Sequence, residues 1–268
     1  MKGRCIIITA YIEGELLSLL KAINYNEEDY IICADKGYEL AEEASVFPHL
    51  VLGDWDSAQA PSRTRLDSYK ESPEYWAYRL NLTKSKDAAL PKTTTLLHYS
   101  PDKDDTDTML ALKFAIGENI SAGILEESRE SLKIARPYDG FKGFDNICIL
   151  GGVGGRADHT VGNLATMAFA LTHTKNPDLK QISMMDDKNH IMLIKDTSIT
   201  IVGAPGELIS LASYSDTCKG VSITGAKWPL ENATLTNTTA LGISNRFVEK
   251  SCTISVESGL LLVMGSVD

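Results

Sequence analysis

"NICILGGVGGRADHTVGNLATMAFALTH", Asn146 to His173, sets a short apolar run, a loop with four glycines and a long amphipathic segment end to end. Ile147, Cys148, Ile149 and Leu150 are apolar without alternation, which is the pattern of a strand buried on both faces in a parallel sheet. Parallel strands need crossovers, so this unit predicts an α/β domain with further strands upstream. They are there. "CIIITA" (Cys5 to Ala10), "YIICAD" (Tyr30 to Asp35), "LVLGD" (Leu50 to Asp54) and "TLLHYS" (Thr95 to Ser100) read as buried strands, and "GELLSLLKAI" (Gly14 to Ile23) and "DTMLALKFAI" (Asp107 to Ile116) have helical spacing.

Downstream the period changes. "THTKNPDLKQ", Thr172 to Gln181, is polar, carries a proline and reads as a linker. Beyond it, short β runs are separated by the turn chemistry of "DDKN" (Asp186 to Asn189), "GAPG" (Gly203 to Gly206) and "ESG" (Glu257 to Gly259). The expected organisation is therefore an α/β domain over residues 1–175, its sheet mainly parallel and flanked by helices, and an all-β sandwich over 181–268. Gln59 to Thr94 and Gly117 to Asp145 are polar and fit neither period.

A formal charge of −10 argues against nucleic acid and anionic membrane as partners, and an anionic ligand would need local help from metal, Arg or backbone amides. No segment approaches the ~20 apolar residues of a membrane helix. The five cysteines are scattered, form no C-x-x-C pair and sit in apolar runs, as expected for reduced, buried thiols of a cytoplasmic protein.

Ligands of parallel sheets bind beyond the carboxyl ends of the strands. "YIICAD" ends at Asp35, "LVLGDWD" supplies Asp54 and Asp56, and "TLLHYS" leads into "PDKDDTD", with Asp102, Asp104, Asp105 and Asp107 in six positions. Two bare charges about 4 Å apart repel by roughly 4 kcal/mol near a protein surface, so such a cluster is either solvated at a helix start or neutralised by a cation. Carboxylates from several strand ends suit Mg²⁺, which takes oxygen ligands and substrate phosphates. In the opening stretch, Gly154 and Gly155 allow close approach of backbone amides to a phosphate, the helix start favours anions, and Arg156 can fork onto two oxygens. Asp158 has the position of an N-cap, and His159 reads as a helix-start or hydrogen-bonding residue. Gly152, Gly154 and Ala157 also fit G-x-G-x-x-A, but a dinucleotide site is expected at the first strand, and that reading leaves the aspartates unexplained.

"GDWDS" (Gly53 to Ser57), "DKDDTD" (Asp102 to Asp107), "GGRADHTVGN" (Gly154 to Asn163), "GAKWPLENATL" (Gly225 to Leu235), "GISNRF" (Gly242 to Phe247) and "TISVESGLLLV" (Thr253 to Val263) together resemble the thiamine pyrophosphokinase family, in the same order. The resemblance implies transfer of the pyrophosphoryl group of ATP to the hydroxyl of thiamine, with Mg²⁺, in a homodimer. It implies Asp54, Asp56, Asp104 and Asp107 as metal ligands, and Asp35, Gly154, Gly155, Arg156, Asp158 and His159 on the nucleotide side. Thr106, Trp228 and Asn245 fall on the acceptor side, where a Trp face suits the thiazolium charge and Asn245 could bond the aminopyrimidine. One departure stands out: the family has Ala-Asp-Gly-Gly where this chain has Ala34-Asp35-Lys36-Gly37. Two other readings use the same residues, a Mg²⁺-dependent pyrophosphotransferase for another alcohol and a nucleotide or thiamine sensor without chemistry.

Overall fold

The computed structural model describes residues 3–26, 28–46, 48–54, 94–137 and 140–266. In the first part, β1 (Arg4–Ile8), β2 (Tyr30–Ala34), β3 (Leu50–Gly53), β4 (Thr95–His98) and β5 (Asn146–Leu150) alternate with α1 (Leu16–Ala22), α2 (Gly37–Glu43), α3 (Asp107–Ala115), α4 (Arg129–Ala135) and α5 (Ala157–His173). The remainder is β6 (Gln181–Met185), β7 (Asn189–Val202), β8 (Leu208–Ser213), β9 (Thr217–Thr224), β10 (Leu230–Thr236), β11 (Gly242–Arg246) and β12 (Ser251–Ser266). The expected strands and helices form. α2 and α4 have no counterpart in the sequence reading, although Tyr38 and Ala41 of α2 are buried at helical spacing.

Strands β6-β5-β1-β2-β3-β4 lie side by side in that order, all parallel. Each strand's residues alternate between two cores, as the period of two requires. Ile6 and Ile8 of β1 pack with Leu16, Leu19 and Leu20 of α1 and with α2, whereas Cys5 and Ile7 belong to the core that holds Leu110 and Phe114 of α3 and Met167 and Leu171 of α5. The result is an α/β/α arrangement with a mostly parallel sheet.

The polar stretch after α5 does not end the sheet. β6 pairs in parallel with β5, with Ile182 beside Ile147, because its inward residues Ile182 and Met184 bury against α5. β7 then turns antiparallel to β6 and pairs with β12 along most of its length. β12 also pairs with β9 through its first half and β8 through its second. Leu260 and Leu262 of β12 face the α/β core, while Leu261 and Val263 face a β-rich core with Val221, Ile223 and Ile254. All five cysteines are buried and unbridged. Among the described residues, no helix is long and apolar enough to cross a membrane.

Candidate active site

Register brings the acidic strand ends together. Ala34 lies beside Leu52 and Gly53 beside His98, so the chain leaves β2, β3 and β4 at one edge of the sheet. Asp35 follows β2 directly, Asp54 follows β3, and the segment after β4 returns Asp107 as the first residue of α3. Carboxylate oxygens of Asp35, Asp54 and Asp107 lie within 4.8 Å of one another. Adjacent strands bring Asp35 and Asp54 side by side, and the start of α3 adds Asp107. Asp35 is buried with a left-handed backbone, φ 47°, which Asp tolerates better than most residues and which aims its side chain off the strand.

The departure at Lys36 leaves this geometry intact. Lys36 has an ordinary helical φ of −60° and needs no glycine, whereas a Cβ on Gly37 would lie 2.2 Å from the carbonyl oxygen of Ile8. Of the family's two glycines, this chain keeps the one that the packing of α2 on β1 demands.

Lys103, which the sequence reading passed over, enters the triad. Its ammonium is in contact with Asp54 Oδ2 and stands 3.3 Å from Asp107 Oδ1, four residues on in the chain. Burial pushes the Asp107 carboxyl up to about 6; the charges of Asp54 and Asp35 push the same way, and Lys103 opposes them. For Lys103, burial acts to lower its pKa, but the bond to Asp54 and the charges of Asp107 and Asp54 outweigh it and hold the ammonium above its usual range. Three converging, largely buried carboxylates form an all-oxygen donor set that fits a hard cation such as Mg²⁺.

The rest of the acidic cluster lies outside this triad. Asp102 and Asp104 are exposed, and Asp105 pairs with Lys113 at 2.6 Å. Thr106 is the N-cap of α3, its hydroxyl accepting from the Met109 amide at 3.2 Å. Asp56 lies outside the described residues.

The glycine loop follows β5 at a point with its own significance. From β1 the chain builds outward through β2 to β4, and from β5 it builds the other way to β6, so the order reverses between β5 and β1. Such a switch point opens a crevice at the carboxyl edge, where phosphate ligands of α/β proteins bind. Gly151, Gly152, Gly154 and Gly155 all have positive φ, and a Cβ on Gly151 would meet the Tyr11 carbonyl oxygen at 2.2 Å. Arg156, not Asp158, is the N-cap of α5, because Asp158 lies in the first turn and turns back to bind Arg156 at 2.6 and 3.1 Å. The bond to Arg156 takes the Asp158 carboxyl down to about 2. Arg156, Asp158 and His159 are exposed beside the loop.

In the β-rich part, Trp228 is 53% exposed, with the Lys227 ammonium 4.7 Å from its ring centroid, so this ring is no core residue and its face accepts a cation. Asn245 is buried beneath it. Its amide oxygen accepts from the Trp228 backbone at 3.0 Å and its amide nitrogen donates to the Trp228 carbonyl at 2.7 Å, so Asn245 clamps the Trp backbone.

Residues 23–179 match the family model described as thiamin pyrophosphokinase, catalytic domain, and residues 195–261 match thiamin pyrophosphokinase, vitamin B1 binding domain. The chain belongs to the thiamin pyrophosphokinase family. Thiamine pyrophosphokinase of Bacillus subtilis (strain 168) is 27% identical over 248 residues, covering 91% of each chain. The crystal structure of a thiamine pyrophosphokinase from Bacillus subtilis shares the fold with a TM-score of 0.68 at 24% identity over all of both chains. That of Candida albicans gives 0.67 at 15% identity, covering 99% of this chain and 90% of the other. Within this family member, Lys103 was legible as the lone cation inside an acidic run, four residues before Asp107.

Proposed function

We propose that this chain transfers the pyrophosphoryl group of ATP to the hydroxyl of thiamine, giving thiamine diphosphate and AMP, in a Mg²⁺-dependent reaction. The observation that carries the proposal is the convergence of Asp35, Asp54 and Asp107 at the sheet edge that also carries the glycine loop. Asp54 and Asp107 would hold Mg²⁺ together with Asp35, and Asp56 and Asp104 are assigned to the same ion, directly or through water. Bound Mg²⁺ supplies positive charge that offsets the phosphates and aligns them for attack at the β-phosphorus. Gly154 and Gly155 present backbone amides to phosphate oxygens, and Arg156, oriented by Asp158, forks onto them beside His159.

On the acceptor side, the exposed face of Trp228 takes the thiazolium cation, a contact worth about 0.5–2 kcal/mol depending on desolvation. Asn245 keeps that face in place through its two bonds to the Trp228 backbone and adds its polarity to the aminopyrimidine side. Thr106 starts α3 and so sets where Asp107 points. In this proposal residues 1–175 form the catalytic domain and 181–268 a thiamine-binding β-sandwich, and the protein works as a cytoplasmic homodimer.

The test is a single reaction. Purified protein with ATP, Mg²⁺ and thiamine should yield thiamine diphosphate and AMP in equal amounts, and EDTA should abolish both. ATP binding without either product would overturn the proposal in favour of a sensor; AMP formed with another alcohol but not with thiamine would move the acceptor.

A further inference from the structure

Lys103 has no task in that reaction scheme, yet it occupies the centre of the site. Its side chain is 8% exposed, and its ammonium sits against the same two carboxylates, Asp54 and Asp107, that are assigned to the metal. An ammonium group and a divalent ion compete for these two carboxylates, because each draws on their negative charge and the two cations repel each other. A lysine is a point charge on a flexible four-carbon stem, so it can leave without any backbone movement. Its anchorage favours such a swing: the Lys103 amide donates to the Ser100 carbonyl at 3.2 Å, which holds the main chain while the stem turns.

We propose that Lys103 is an exchangeable internal cation. It holds Asp54 and Asp107 together until a divalent ion arrives, gives up their oxygens to that ion, and moves its charge to the phosphate oxygens of the incoming nucleotide. The inference rests on the metal reading of the triad. Bare metal must break the lysine's ion pairs with no return, whereas a metal–nucleotide complex offers the displaced ammonium a new anionic partner. Lys103 therefore tunes the site for metal-bound nucleotide over free metal.

The experiment measures binding of Mn²⁺ alone, by electron paramagnetic resonance, and of Mn²⁺ with a non-hydrolysable ATP analogue, for the wild type, K103Q and K103R. Free Mn²⁺ should bind K103Q tighter by about tenfold, because one competing charge is gone, while the advantage of the metal–nucleotide complex over free metal shrinks by a similar factor. K103R retains the charge and should stay near the wild type. Unchanged or weaker Mn²⁺ binding by K103Q, or none by any of the three, overturns the inference. If K103Q does not fold, acetylation of wild-type lysines read by mass spectrometry decides it: Lys103 should resist in EDTA, react with Mn²⁺ bound and be protected again with the nucleotide complex. Resistance with Mn²⁺ bound overturns it. Thiamine diphosphate formation with Mn²⁺ affinity indifferent to Lys103 would sink this inference alone. Lys103-dependent Mn²⁺ binding without that product would sink the reaction alone.

Discussion

Asp107→Asn should make the metal-free protein more stable while destroying its activity. The Asp107 carboxyl is raised from 3.8 to about 6, chiefly by burial. At about 1.36 kcal/mol per unit, the ionised form is disfavoured in the folded state by about 3 kcal/mol. The folded protein thus binds this proton more tightly than the unfolded chain does. Its contribution to stability is present below about pH 4, falls as pH rises through 4 to 6 and stays lost above that. Asparagine imitates the neutral carboxyl at every pH, and Lys103 keeps Asp54 as partner. Thermal unfolding in EDTA should show the variant level with the wild type near pH 4 and more stable at pH 7.5 by up to about 3 kcal/mol, a midpoint shift on the order of 5 °C for a chain of this size. Excess Mg²⁺ should stabilise the wild type and leave the variant nearly unmoved, with turnover lost. A variant less stable than the wild type at pH 7.5 in EDTA, or a difference independent of pH, would refute the reasoning that burial governs this carboxyl.

Trp228→Ala should raise the KM for thiamine by roughly 2- to 30-fold, the range of one cation–π contact, and leave the KM for ATP unchanged; steady-state kinetics with each substrate varied in turn check it. Gly37→Ala should cost about 1–3 kcal/mol in urea unfolding, because the new Cβ meets the Ile8 carbonyl oxygen, while Lys36→Gly should cost less than about 1 kcal/mol; equal effects would contradict the packing described. His49 is buried, its pKa lowered to about 4 by burial, and its Nδ1 accepts from the Ile31 amide at 3.0 Å. The unfolded chain takes up this proton first, so stability should fall as pH drops from 6.5 towards 4, by about 3 kcal/mol at the end of that range. His49→Gln, followed by urea midpoints from pH 7 to 4.5, should flatten that part of the decline, and an unaltered acid profile would assign the loss elsewhere.

Local patterns carried much of this protein. The unbroken apolar runs of β1 to β5 announce strands buried on both faces, and the long segment Ala157 to His173 forms its helix end to end. α2 went unread because it is short, seven residues, and opens at Gly37, a helix start pressed against β1. Asp158 reads as a cap in sequence, but the neighbouring guanidinium competes for it and takes it. Trp228 is assigned to the acceptor side by the family motif alone, and only the fold shows that its ring is left open.

By itself the sequence determined the strands β1 to β5 and the longer helices, that aspartates close several strands, and which family motifs run along the chain. Those features depend on spacing of a few residues, which hydrophobic periodicity encodes directly. Only the tertiary structure decided that Asp35, Asp54 and Asp107 meet while Asp104 stays exposed, that Lys103 lies among them, and that β6 continues the parallel sheet. Convergence follows from strand order and register, and these come from packing between residues far apart in the chain, where no local period reaches.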